Sequence, residues 1–314
     1  MVHPPLLHCS GTAALLFLLV AVLPACAQEA SLQTPNLSPT AASLTVMPPY
    51  TFDEPDTLFQ LPNRLREISG ITVLDDRYVG AVQDEKGRLY LINYHTGEVE
   101  EERRFGKDGD FEDLARVGNR IFVLRSDGRL IEILDRHAEK PTTTTHRTKL
   151  RARHDTEGLA YDASHNRLLI ACKEYPGKGL GNKKAIYAFD LGRNVLLDDP
   201  VFTIDTEAFS EHVGSDGRLN ETIRTAVKPI MDLSGFKPSA LALHPLTGEV
   251  YVLSSVRKAV VVLSPDGDLT NVWPLTNKRL RQPEAMAFLP NGDLLIASEG
   301  AGKKAVLMRF SYHP

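Results

Sequence analysis

A short pattern, one polar residue followed by alternating apolar positions, recurs five times along the chain and constrains its architecture more than any other feature. It reads Glu67-Ile68-Ser69-Gly70-Ile71, Glu112-Asp113-Leu114-Ala115, Glu157-Gly158-Leu159-Ala160-Tyr161, Ser239-Ala240-Leu241-Ala242-Leu243 and Glu284-Ala285-Met286-Ala287-Phe288. The first residues lie 45, 45, 82 and 45 apart, so three intervals are equal and the fourth exceeds them by 37. Each repeat continues through a turn rich in Gly, Asn, Asp or Pro to a second predicted strand, at 78–82, 120–124, 167–172, 250–253 and 293–297. A third follows at 88–93, 129–134, 185–190, 259–264 and 305–311. Short strands of this kind at a period near 45 predict an all-β chain, a β-propeller of five blades.

The excess falls mostly in residues 206–235, where 207–231 carry helix-compatible residues. It predicts a partly helical insertion between blades three and four, with a degenerate sixth blade as the alternative. The last repeat stops after its third strand at residue 311, and residues 57–61 are suited to supply the fourth. Such a closure joins the two ends of the ring and removes an exposed edge. The tract Pro141-Thr142-Thr143-Thr144-Thr145 reads as an exposed loop or outer strand.

Ahead of the repeats, residues 13–23 form an uninterrupted apolar run suited to a signal peptide and shorter than a membrane span of about 20 residues. Leu23-Pro24-Ala25-Cys26 resembles a lipobox that would lipidate Cys26, while Ala25-Cys26-Ala27 fits ordinary cleavage; both readings stand open. The expected organisation is a leader at 1–27, a Ser/Thr/Pro/Ala-rich tether at 28–49 and a single propeller domain at 50–314. The product is expected to be exported, whether periplasmic, lipid-anchored in the cell envelope or secreted, and to meet a membrane only through that lipid. Cys9 and Cys26 lie in the leader, leaving Cys172 alone in the body as a buried strand thiol. A net charge of -4 argues against generic nucleic-acid binding.

The motifs Asp110-Phe111-Glu112-Asp113-Leu114, Asp155-Thr156-Glu157-Gly158-Leu159-Ala160-Tyr161 and Gln282-Pro283-Glu284-Ala285-Met286 resemble those of the SdiA-regulated family, also called YjiK/CarP-like. The resemblance covers roughly residues 60 to 311. It implies an exported bacterial β-propeller; some members are described as calcium-responsive and as candidate phytases.

In a propeller, the loop leading into each innermost strand and the loop between strands two and three open on one face. The first set here is Glu67, Glu112, Glu157, Ser239 and Glu284. The second is Asp84 and Glu85, Asp127, Lys173 and Glu174, Ser255, and Glu299. Together they predict an acidic rim at one mouth of the channel. Crowded carboxylates repel, and Ca²⁺, which accepts six to eight oxygens in loose geometry, is the natural counter-ion. Glu67, Glu112, Glu157 and Glu284 are the candidate ligands, and Asp84, Glu85, Lys173, Glu174 and Glu299 the candidate ligand-binding residues. The alternative is structural: each glutamate accepts backbone N–H groups and joins neighbouring blades.

Weaker signals surround these. Asp108-Gly109-Asp110-Phe111-Glu112-Asp113 opens like an EF-hand loop but has Asp113 at the turn-glycine position. The stretch 177–184 is glycine-rich without the ending of a phosphate loop, and Lys173, Lys178 and Lys183 could meet an anion there. His154 is either a ligand or a surface hydrogen-bonder. Two function classes stand open: a monomeric binding or scaffold propeller, calcium-dependent through the rim, with a small anionic ligand or a protein as partner; and a calcium-dependent, phytase-like phosphoester hydrolase.

Overall fold

Turn residues cut the chain into short strands, and hydrogen bonding gathers these into five antiparallel sheets. The computed structural model describes residues 48–138, 140–205 and 235–314. After β1 (Thr57–Gln60), blade one holds β2 (Ile68–Val73), β3 (Tyr78–Gln83), β4 (Arg88–Asn93) and β5 (Val99–Arg104). Blade two holds β6 (Phe111–Val117), β7 (Arg120–Arg125), β8 (Leu130–Ile133) and β9 (Thr143–His146), so the threonine tract is an outer strand. Blade three holds β10 (Thr156–Asp162), β11 (Arg167–Cys172) and β12 (Lys184–Asp190), with β13 (Val195–Leu196) and β14 (Phe202–Ile204) sharing the edge of β12. Blade four holds β15 (Ala240–Leu243), β16 (Val250–Ser254), β17 (Ala259–Leu263) and β18 (Leu269–Pro274). Blade five supplies only β19 (Gln282–Phe288), β20 (Leu294–Glu299) and β21 (Val306–Phe310).

The missing strand of blade five is β1. It pairs antiparallel with β21, Thr57 opposite Arg309 and Gln60 opposite Val306, as the sequence led us to expect. The innermost strands complete a circuit: β2 packs on β6, β6 on β10, β10 on β15, β15 on β19 and β19 on β2. The fold is a five-bladed β-propeller. Because β10 meets β15 directly, no room is left between blades three and four for a sixth blade, and that alternative falls. The expected helical insertion at 207–231, the leader, Cys26 and the tether up to residue 47 lie outside the described residues.

Among the described residues there are five hydrophobic cores, one at each blade boundary. Middle strands are covered on both faces by neighbouring blades, so β11, β16 and β20 read as near-continuous apolar runs rather than as an alternation. The outer strand β5, of sequence VEEERR, alternates between half-buried and exposed positions instead. Each buried Leu, Ile or Phe in these cores contributes about 1.5–3 kcal/mol. Cys172 lies in the core between blades two and three, where burial pushes its thiol up to about 12. It is a packing residue.

The inner strands enclose a channel of two characters. Toward their C-terminal ends, Ile71, Leu114, Leu159, Leu241 and Met286, with Thr72, Arg116 and Tyr161, line an open hollow of about 330 Å³. At their N-terminal ends the channel is acidic.

Candidate functional site

Four of the inner strands leave one residue out of the ladder near their start. The register shifts between Ile68 and Gly70, Phe111 and Asp113, Thr156 and Gly158, and Pro283 and Ala285. The skipped residues are Ser69, Glu112, Glu157 and Glu284. In blade four the corresponding residue is Ser239, whose N–H bonds the Leu253 carbonyl at 2.8 Å just ahead of β15. A bulge bends its strand and re-aims the extra side chain. Repeated around a ring, it presents five equivalent side chains at one mouth.

Strand pairing corrects one expectation. Glu67 does not occupy this position in blade one; Ser69 does, and Glu67 sits two residues earlier in the turn leading into β2. Its side chain is 42% exposed and lies 4.0 Å from the Arg66 guanidinium. Aligning the repeats on the acidic residue, rather than on the small-apolar step Gly70-Ile71, displaced blade one by two residues.

Blade joining falls mainly to other side chains. The Ser69 hydroxyl donates to the Phe111 carbonyl at 2.7 Å, and the Ser239 hydroxyl to the Pro283 carbonyl at 3.0 Å. These are equivalent bonds, each from one blade to the next. Buried Asp113 accepts the Leu159 N–H at 2.7 Å and the Leu114 N–H at 2.8 Å. Glu112 has neither a hydrogen-bond nor an ion-pair partner among the described residues, so the structural role considered for it is performed next door.

The loops between second and third strands meet the same mouth. The Phe111 N–H bonds the Asp84 carbonyl at 2.7 Å, and the Thr156 N–H bonds the Ser126 carbonyl at 3.0 Å. Each ties one blade's loop to the segment leading into the next inner strand. Asp84 and Glu299 stand half-buried at the mouth, and Asp84 Oδ1 is buried with no hydrogen-bond partner among the described residues. Glu85 and Glu174 turn outward: Glu85 lies 3.6 Å from Lys86, and Glu174 pairs with Lys237. Asp127 pairs with Arg125 and Arg129 and takes no part.

Burial and neighbouring charges raise the proton affinity of each gathered carboxyl. Burial, then the charges of Glu157, Asp110 and Asp155, pushes Glu112 up to about 9. Burial raises Glu157 to about 7 against the opposing pull of Lys173. Burial and the Glu157 charge raise Glu284 to about 7, and burial with Asp84 and Glu67 raises Glu299 to about 7. Asp84 rises to about 6 through burial and Glu67. Lys173 contacts Glu157 and lies 4.0 Å from Asp155. Asp110 and Asp155 therefore belong to the site; the sequence reading noted Asp110 only within an EF-hand-like opening and did not single out Asp155. The Asp-x-Glu spacing shared by Asp110-Phe111-Glu112 and Asp155-Thr156-Glu157 was the signal for both.

Other expected contributors are occupied elsewhere. His154 is buried, accepts the Arg151 N–H at 2.9 Å and stands edge-on to Tyr175, so it shapes a loop. Lys183 pairs with Asp205 at 3.3 Å, and Asp108 with Lys86 at 3.1 Å. Among the described residues no three His, Cys, Asp or Glu side chains already stand at metal-ligating geometry.

No protein-family model matches the sequence, and no curated protein sequence does. Solved structures do resemble the fold. A glutaminyl cyclase from Myxococcus xanthus superposes with a TM-score of 0.52 at 12% identity, over 83% of this chain and 96% of that one. A luciferin-regenerating enzyme gives 0.47 at 9% identity, over 82% and 95% of the two chains. A streptogramin B lyase gives 0.47 at 10%, over 81% and 98%. The likeness to the cyclase supports the β-propeller architecture and, at that identity, extends to the fold alone.

Proposed function

We propose that this chain is an exported binding propeller whose acidic channel mouth takes a divalent cation, with Ca²⁺ the best match. The loaded mouth would then dock a small anionic ligand or a protein. One observation carries the reading: Glu112, Glu157 and Glu284 from inner strands, Asp84 from an adjoining loop and Glu299 at the end of β20 are gathered at one mouth beside Lys173, and burial first, then neighbouring carboxylates, raises the proton affinity of each. Such a cluster holds protons or a cation, since like charges in a low-dielectric channel cannot all remain unpaired. An all-oxygen set on separate loops suits Ca²⁺, which tolerates irregular geometry, better than Mg²⁺, which demands a near-ideal octahedron. Glu67 stands at the edge as an auxiliary ligand. The motif resemblance to the SdiA-regulated family supports an exported setting.

The phosphoester hydrolase reading is less well supported. It needs cations beside the metal to hold the ester, and Lys173 and Lys183 are both engaged by carboxylates.

Thermal melting with Ca²⁺ and with EDTA tests the proposal. Calcium is expected to raise Tm by several degrees at pH 8 and by less at pH 6, where protons compete for the same oxygens. An identical melt in both conditions would overturn it.

A further inference from the structure

Beside the acidic mouth, on the outer part of blade five, the charge reverses. A groove of about 350 Å³ is lined by Arg279, Arg281, Lys303 and Lys304 over a floor that includes Leu58 and Val306. None of the four cations has an ion-pair partner among the described residues. Local backbone geometry presents them as two pairs. Leu280 is fully buried and holds this turn down, with Arg279 exposed and Arg281 half-buried on either side of it. Lys303 and Lys304 ride the tight turn after β20, where Ala301 and Gly302 have φ of 44° and 86°. A Cβ at Gly300 would lie 1.8 Å from the Lys303 carbonyl, so glycine is required there for the loop to close. The Gly300 N–H bonds the Arg66 carbonyl at 3.2 Å, which fixes this loop against blade one. The same two lysines border a second hollow of about 420 Å³ whose walls include Arg66 and Glu67.

We infer that this groove is an anion-binding site for a small molecule carrying at least two phosphate or sulfate groups. Two cation pairs on two separately anchored loops match two anionic groups, and the planar forks of the arginines suit tetrahedral oxyanions. The volume is at the lower end for small-molecule sites and suits a ligand the size of one substituted ring. The apolar floor would meet the ring's face. The inference stands apart from the cation reading, because none of the residues lining the groove itself is a candidate metal ligand.

Isothermal titration with inositol hexakisphosphate and with inositol hexasulfate, both in EDTA, tests it. Glycerol 2-phosphate, a heparin fragment and oligo(dT) serve as comparisons. Arg279→Gln/Arg281→Gln and Lys303→Gln/Lys304→Gln alter exposed positions apart from half-buried Arg281, and unchanged melting temperatures will show that both proteins fold. Saturable binding of one hexa-anion, weakened about tenfold or more by each double variant and unaffected by Glu112→Gln, is the expected result. Whichever hexa-anion binds more tightly identifies phosphate or sulfate as the preferred group. No binding up to about 1 mM, binding indifferent to both double variants, or retention of heparin or oligo(dT) alone would overturn the inference.

Discussion

The carboxyl group of Asp113 in blade two, its proton affinity raised well above the ordinary value by burial, accepts the backbone N–H of Leu159 in blade three at 2.7 Å, while its other oxygen takes the N–H of Leu114 at 2.8 Å. Removing it leaves two buried donors without an acceptor at a blade boundary. Asp113→Ala is therefore expected to lower stability by about 2–4 kcal/mol, read from urea unfolding. Glu112→Gln, one residue away, is expected to cost less than about 1 kcal/mol, because Glu112 has no hydrogen bond to lose. Equal losses in the two variants would return the blade-joining role to Glu112.

Gly70 presses against the same residue. A Cβ there would lie 2.6 Å from the Asp113 Cα and 2.7 Å from its Oδ1, and backbone cannot yield as a flexible side chain does. Gly70→Ala is expected to destabilise by about 1–3 kcal/mol through overpacking, despite alanine's better backbone entropy. A neutral or stabilising outcome in the same assay would mean the blades separate easily there.

Stability should depend on pH in a definite direction. The ordinary value for a glutamate here is 4.5, and the folded values rise to about 7 for Glu157, Glu284 and Glu299 and to about 9 for Glu112. Between those limits the folded chain binds more protons than the unfolded one. Without metal, the contribution is fully present below about pH 4.5 and is lost as pH rises through 7 toward 9. Tm in EDTA is expected to fall from pH 5 to pH 9, and to fall less in Glu112→Gln. A Tm that climbs over this range would contradict the crowding of the rim.

Lys173 competes with any cation for Glu157. Its ammonium contacts that carboxyl and lies 4.0 Å from Asp155. Lys173→Gln should steepen the pH-dependent loss and tighten Ca²⁺ binding by about threefold or more, since it removes a positive charge from a poorly solvated site. Unchanged or weaker affinity would place the cation elsewhere.

The fold was legible because the pattern repeats. Strand positions came within a residue or two of the expected ones, and the closure by residues 57–61 followed from the short last repeat. Legibility failed where a position is set by pairing rather than by residue type. Glu67 and Ser69 are separated by a single residue, and only the bulge decides which of them belongs to the ring. Asp113 stood where the other repeats have Gly70, Gly158, Ala240 and Ala285, and that contrast was the readable sign of a buried tie. The basic groove could not be read at all. It joins residues of β1 to two loops more than 200 residues downstream, and no linear motif marks such a meeting.

The most direct measurement is calorimetric titration of Ca²⁺ at pH 8 into the protein, into Glu112→Gln/Glu157→Gln and into Glu85→Gln. Saturable binding that disappears in the double variant and survives in Glu85→Gln, whose side chain faces outward, is the expected result. Absence of saturable heat through millimolar calcium, or binding that persists in the double variant, would contradict a cation site at the channel mouth.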